Sequence, residues 1–287
     1  MTRWLPVALL LIGATAQPQS SPPAPQPTGA AVDLPMAKPA DATLVWSDEF
    51  DRDGAPDPAK WRLDTSMNLT GWYNDQKQYY AAGRPENARV DKGMLTIEAR
   101  QEKLTAAPDY GGQDYTSAKL DTWGHMAWKY GFVEVRAKLP CGRGTWPSIW
   151  LLGVDAGAAW PAQGEIDIAE MVGWDAGVIR QAIQAPAYNF RTGTLRDSRT
   201  RIDACGSFHR YQLDWTKDRI LIGIDDRAYM RFDNDGSGDV ARWPFDKPEY
   251  LILNLAVGGN LGGAKGIDPA AFPASMTVDY VRVWQRR

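Results

Sequence analysis

Side chains that alternate apolar and polar with a period of two can bury one face of a strand but no face of a helix. This chain repeats that pattern. Leu95, Ile97 and Ala99 alternate with Thr96 and Glu98, while Val133, Val135, Ala137 and Leu139 alternate with Glu134, Arg136 and Lys138. Val281 and Val283 flank Arg282 near the C-terminus. From Tyr211 to Phe232, apolar and aromatic runs are broken by Asp225-Asp226-Arg227, as in a hairpin. No stretch carries a capped i, i+3, i+4 stripe, although Pro58 to Trp61 has room for one turn. The pattern predicts an all-β antiparallel sandwich with long loops.

The N-terminal residues stand apart from that pattern. Met1-Thr2-Arg3, an apolar run from Trp4 to Ile12 and Ala14-Thr15-Ala16 read as a charged start, a short hydrophobic region and a cleavage site. Residues 1–16 are therefore expected to be a signal peptide, with Gln17 opening a secreted protein, periplasmic or extracellular. The run is well short of the ~20 apolar residues that span a bilayer, so no membrane span is expected in the mature protein. Residues 17–42 hold seven of the 20 prolines among Gln, Ser and Ala, which predicts a disordered tether. From residue 43 to 287 there is no second linker and no internal repeat, so one domain is expected. Export also permits a disulfide between Cys141 and Cys205, the alternative being two buried thiols.

Charge and composition exclude several functions. Lys+Arg 32 against Asp+Glu 35 gives a net charge of -3 and no footprint for nucleic acid. Two Cys and two His, His125 and His209, leave little for a cysteine or histidine metal centre. The unusual count is 13 Trp with 11 Tyr, more aromatic surface than a core of this size needs.

The segment Gly164-Glu165-Ile166-Asp167-Ile168-Ala169-Glu170-Met171 threads three acids through an apolar run. Such burial is costly unless function or partners retain the acids, although a solvated strand face is the plain alternative. Residues two apart share a face, so Glu165 and Asp167 point together and Glu170 points away. A β-bulge at Ile168-Ala169 would add one residue and return Glu170 to the same face. Glu165 and Glu170 then behave as residues four apart, ~13 Å between Cα atoms at ~3.3 Å per residue. Their side chains can lean toward the ~5 to 5.5 Å that retaining glycosidases use. Asp167 between them can hold one neighbour protonated and leave the other ionised.

Glu165-Ile166-Asp167-Ile168-Ala169-Glu170 resembles the E-x-D-x-x-E signature of glycoside hydrolase family 16, in the bulged form of its laminarinase-like members. Further blocks resemble that family in order: Leu44 to Phe50, Gln78-Tyr79-Tyr80, Pro85 to Arg89, Tyr115 to Ala118, Gly144 to Trp150 and Asp279 to Val283. The resemblance implies a β-jelly-roll of two curved antiparallel sheets with a concave substrate cleft, spanning residues 43–287. It implies retaining endo-hydrolysis of a β-linked polysaccharide, with Glu165 as nucleophile, Glu170 as general acid/base and Asp167 as the assisting carboxylate. Trp146 and Trp150 match tryptophans that stack on sugars, with core aromatics as the alternative for each. Asn74 matches a position that hydrogen-bonds sugar, with a turn asparagine as the alternative. No cofactor is implied for catalysis. A structural calcium is implied at main-chain oxygens near Glu49 and Gly93 with the Asp279 carboxylate, the alternative being an Asp279 that faces solvent.

Departures from the family pattern fall at four positions. Its frequent His-Gly-x-x-His is Arg180-Gln181-Ala182-Ile183-Gln184 here, its frequent Arg after Thr-Ser-Ala is Lys119, and its frequent Trp after Gly-Gly-Asn is Leu261. Gln184 can donate a hydrogen bond but cannot titrate, and Arg180 on the cleft face would depress the pKa of the acid. Lys119, Arg180 and Gln184 are thus candidate substrate contacts. The expected function is a secreted, monomeric endo-β-glucanase acting on β-1,3 or mixed β-1,3/1,4 glucans. A marine galactan hydrolase, a transglycosylase or a catalytically weak carbohydrate-binding module are the alternatives.

Overall fold

The computed structural model describes residues 30–155 and 157–287, so the expected signal peptide lies outside the described residues. In chain order the strands are β1 (Ala30–Pro35), β2 (Ala42–Asp48), β3 (Arg62–Leu63), β4 (Gln78–Tyr80), β5 (Ala88–Asp91), β6 (Met94–Ala99), β7 (Tyr115–Ser117), β8 (Lys119–Asp121) and β9 (Gly131–Lys138). They continue as β10 (Thr145–Gly153), β11 (Glu165–Glu170), β12 (Val178–Gln184), β13 (Arg196–Arg201), β14 (His209–Trp215), β15 (Arg219–Ile224), β16 (Arg227–Asp233), β17 (Glu249–Val257) and β18 (Ala274–Arg286). A four-residue helix, α1 (Gly259–Gly262), follows β17. No helix among the described residues is long and apolar enough to cross a membrane.

Two antiparallel sheets face each other. One runs β1-β16-β15-β14-β9-β18-β6-β5, with β2 also on β18, and the other runs β13-β12-β11-β10-β17-β8-β3. Only β4 and β7 pair in parallel among the described residues. Val133, Val135 and Ala137 from the first sheet meet Ile149, Leu151, Ile166, Leu251 and Leu253 from the second in a dry core. Each such aliphatic residue contributes about 1.5–3 kcal/mol on burial, and the period of two is what supplies one per two positions.

Two expectations change. The Tyr211 to Phe232 segment is a three-strand meander, because Thr216 turns the chain once before the aspartates turn it again, its hydroxyl accepting from Arg219 N at 3.1 Å. Asp225 and Asp226 have φ of 50° and 67° and make the two-residue turn between β15 and β16 that suits strand twist. Of the tether expected over residues 17–42, residues 17–29 lie outside the described residues and Ala30–Pro35 forms a strand. β1 pairs with the edge of β16, and Arg227 Nε donates to Asp33 at 2.7 Å. Met36 is buried against Phe132, Leu221 and Ala228. Gly223 makes the room, since a Cβ there would lie 2.6 Å from the Met36 sulfur. The physical reason is local: the short Ala30–Leu34 run lacks proline and finds an unpaired strand edge to complete.

Candidate active site

β11 lies between β10 and β12. Glu165 pairs with Leu152, Asp167 with Trp150 and Glu170 with Ser148, and the register slips between Trp150 and Ile149. On the other side Glu165 pairs with Gln184, Asp167 with Ala182 and Glu170 with Arg180, which leaves Ile168 and Ala169 together against Gln181. The bulge expected from the spacing is there, and both of its residues are buried in the core. It turns Glu170 onto the face of Glu165 and Asp167.

Each outer acid accepts from an indole. Trp160 Nε1 donates to Glu165 Oε2 at 2.7 Å, and Gln184 Nε2 donates to Oε1 of the same carboxylate at 2.8 Å. Trp146 Nε1 donates to Glu170 Oε1 at 2.8 Å. Burial, and then the charges of Glu165 and Glu170, push Asp167 well above the usual carboxylate range. Burial also raises Glu165, but hydrogen bonds from Trp160, Asp167 and Gln184 pull it back. Glu170 is pushed up to about 7 by burial, with the Trp146 donor lowering it, the Glu165 charge raising it and Arg180 lowering it. The expected depression by Arg180 is therefore present but outweighed by desolvation. One face thus holds Glu170, an acid that keeps its proton near neutrality, beside Glu165, whose upward shift by burial is countered by three hydrogen bonds.

The departures at Arg180 and Gln184 stand directly opposite the two outer acids. Arg180 donates to Asp175 at 2.8 Å and lies over the Trp174 ring, 5.4 Å from its centroid. Its Nη1 and the Gln184 Oε1 are buried with no hydrogen-bond partner among the described residues. Trp146, expected to stack on sugar with a core aromatic as the alternative, is largely enclosed. It is 6% exposed, packed with Val172 and Ala256, and covered by α1, where a Cβ on Gly262 would fall 2.8 Å from the Trp146 Cβ. Leu261 joins that cluster, and its carbonyl accepts from Trp174 Nε1 at 2.7 Å.

Trp150 is half-buried, and its Nε1 donates to Asn254 at 2.8 Å. Lys119 reaches Asp64 at 2.9 Å and sits 5.1 Å from the Trp72 ring centroid and 5.8 Å from that of Trp150. It therefore braces two tryptophans. Asn74 adopts φ 58° in a turn beside α1, where a Cβ on Gly259 would meet its carbonyl oxygen at 2.8 Å. The structure brings the three acids, Trp146, Trp150, Gln184 and Arg180 onto one sheet face, with Lys119 beside Trp150 and Asn74 at the margin.

Of the groups implied for calcium, main-chain oxygens near Glu49 and Gly93 and the Asp279 carboxylate, only the carboxylate is charged, and it is engaged by an arginine. Glu49 is held by both Nε and Nη2 of Arg282, at 2.9 and 2.7 Å, and Asp279, the one carboxylate of the set, is paired with Arg136. Gly93 stands in the β5–β6 turn with φ 74°. Among the described residues no three His, Cys, Asp or Glu side chains cluster as metal ligands. A guanidinium already neutralises the charge that a hard cation needs. Cys141 and Cys205 are joined as a disulfide, with Cα atoms 5.7 Å apart.

Two residues near the acids were not singled out in the sequence. Trp160 sits in a loop with no periodicity to read. Glu249 opens β17 opposite Gly153, with both carboxylate oxygens buried and unpartnered among the described residues. Burial, and then the Glu165 charge, push it well above the usual range. An unfolded Glu titrates near ~4.3, so between that pH and the folded pKa the folded state retains a proton that the unfolded state releases. Its contribution to stability is intact below that window and declines as pH rises through it. Glu249→Gln should melt higher at pH 8, by roughly 2–4 °C for each kcal/mol regained, and show no gain at pH 4. Equal gains at both pH values would count against this account.

A β-sandwich that sets three acids on one face of a bulged strand, the outer two each accepting from an indole, has the carboxylate pair that hydrolysis of a glycosidic bond requires. The chain belongs to Glycosyl hydrolases family 16, whose sequence profile matches residues 75–282. A β-glucanase of Rhodothermus marinus is 48% identical over 250 residues, covering 84% of this chain and 85% of that protein. Among solved structures, SCLam, a non-specific endo-β-1,3(4)-glucanase of the same family, is 59% identical with a TM-score of 0.88, covering 91% of this chain and 97% of that one. A laminarinase from Rhodothermus marinus is 48% identical with a TM-score of 0.80, covering 85% and 97%. The fold is the family's jelly-roll sandwich. The chain is a glycoside hydrolase of a retaining family that needs no cofactor for catalysis.

Proposed function

We propose that this chain is an endo-β-glucanase that cuts β-1,3 and mixed β-1,3/1,4 glucans by double displacement. Glu165 is the nucleophile, Glu170 the general acid and then base, and Asp167 the assisting acid. The observation that carries the reading is the placement of the acids on one strand face, with Glu170 raised to about 7 by burial and Glu165 supplied with donors from Trp160 and Gln184. In the first step Glu170 gives its proton to the glycosidic oxygen as the Glu165 carboxylate attacks the anomeric carbon. The C–O bond breaks, the leaving sugar departs and a glycosyl ester forms. Glu170, now ionised, takes a proton from water, the water oxygen attacks the same carbon, and Glu165 leaves as carboxylate. Two inversions retain configuration. The orphaned Arg180 Nη1 and Gln184 Oε1 are a donor and an acceptor for sugar hydroxyls.

The activities of the relatives support the glucan reading. Residues 1–16 as signal peptide, together with the disulfide, support export to an oxidising compartment, followed by a monomeric catalytic domain. Reducing-sugar release from laminarin, lichenan, curdlan, agarose and carrageenan, with the product anomer followed by NMR, tests the substrate. Agarose or carrageenan cleavage without glucan cleavage would replace it. The rate should fall as pH rises through about 7, when Glu170 loses its proton. Arg180→Met removes a cation that favours ionised Glu170, so that alkaline limb should move to higher pH. A downward shift would overturn the assignment of Glu170 as the acid.

A further inference from the structure

Trp160 lies in the loop between β10 and β11, five residues before Glu165, and its indole is one of two side chains from outside β11 that donate to that carboxylate. A tryptophan on a loop has rotamer freedom to lose, and something must hold it where the N–H meets Oε2. The loop between β12 and β13 supplies that hold. Phe190 packs on the Trp160 ring with centroids 5.2 Å apart, and the Arg191 guanidinium lies 4.4 Å above the ring centroid. Phe190 is 47% exposed, a cost for a surface aromatic that its contact with Trp160 offsets. Asn189 beside it is buried and ties its own loop, donating to the carbonyls of Ala185 and Pro186 at 3.2 Å and accepting from Thr192 N at 3.2 Å. The pair is thus presented from an organised turn.

We infer that Trp160 is a positioning residue for Glu165, and that Phe190 and Arg191 form a latch coupling the β12–β13 loop to the orientation of the nucleophile. The inference rests on the proposed role of Glu165. The indole fixes Oε2 while Gln184 fixes Oε1, so the carboxylate plane is set by two donors from separate elements. Charged neighbours also bear on Glu165: Asp167 and Glu170 on its own strand, Lys119 on β8 and Glu249 on β17. Arg191 adds a cation on the far side of the indole.

Trp160→Phe keeps a ring for the latch and deletes the N–H. A hydrogen bond to a charged group is commonly worth a factor of about 10 to 100, and kcat on laminarin should fall by that much with KM changed little. The acidic limb of the pH profile should move up, because an anion-stabilising donor is gone. Phe190→Ala with Arg191→Ala, both at exposed positions, should lower kcat several-fold and move the same limb in the same direction, with an unchanged melting temperature. A second measurement is independent of substrate. The indole N–H resonance that vanishes in Trp160→Phe should titrate with pH in the wild-type protein and cease to do so in Glu165→Gln. If that titration is seen while no glucan is cut, the glucanase reading fails and the contact stands. A resonance indifferent to Glu165, or wild-type kcat and pH profile in Trp160→Phe, would overturn the inference.

Discussion

Glu165→Gln should retain the wild-type fold and lose turnover on every glucan by about 10⁴-fold or more. The substitution keeps shape and one acceptor for Trp160, its new NH2 meeting the Gln184 oxygen once that amide turns, while the carboxylate nucleophile that forms the glycosyl ester is removed. Burial disfavours the ionised form of this carboxylate, so the neutral amide costs the fold little and the melting temperature should hold or rise. Glu170→Ala should lose about 10²- to 10⁴-fold on polysaccharide but far less on an aryl glycoside whose leaving group needs no proton. Azide separates the roles. With Glu170→Ala the azide attacks the glycosyl-enzyme and yields a glycosyl azide of retained configuration. With Glu165→Ala no ester forms, and azide displaces the leaving group once, with inversion. Exchange of those two outcomes would reverse the assignments, and wild-type turnover by Glu165→Gln would remove Glu165 from the reaction.

The bulge is legible in the sequence because parity is a strict constraint: these three acids can share a face over six residues only if one residue is added. The same rule made β9 and β18 readable from their alternating valines. Contacts between elements distant in sequence were another matter. Nothing about Lys119 alone says that it lies over Trp72 and Trp150 with its charge on Asp64, since that depends on where β3 and β10 place those partners. Trp146 resembles a sugar-stacking tryptophan by its place in the Gly144 to Trp150 block, and the sequence leaves its exposure open. The covering turn at Gly259–Gly262 comes from a hundred residues away and closes over the ring. Trp160 is illegible for a related reason: its loop carries no period, and its anchors Phe190 and Arg191 lie beyond the next two strands. Proline content misled at the N-terminus, where a strand edge supplied partners that the composition of the tether could not reveal.

Reduction of the Cys141–Cys205 bond should produce the largest loss of stability available without touching the core. The bond closes a loop with a sequence separation of 64, for which chain entropy gives a stabilisation of ~4 kcal/mol. At roughly 2–4 °C per kcal/mol for a domain of this size, the melting temperature should drop by about ten degrees. The bond also has local consequences. Leu139 N already donates to the Ala204 carbonyl at 2.9 Å, so the disulfide reinforces a junction that backbone hydrogen bonding begins. Beyond Cys141, the Gly142 carbonyl accepts from the Thr145 hydroxyl at 2.7 Å, and a Cβ on Gly173 would fall 1.7 Å from that carbonyl oxygen. That tight turn leads directly into β10, which carries Trp146 to Glu170. Cys141→Ser and Cys205→Ser should each lower the melting temperature as far as reductant does, with no further loss in the double variant, because either substitution opens the same loop. Glucanase activity below the transition should survive, since neither sulfur is in hydrogen-bond contact with the acids. Two freely alkylated thiols in the folded, unreduced protein, or a melting temperature indifferent to reductant, would show that the covalent link contributes nothing.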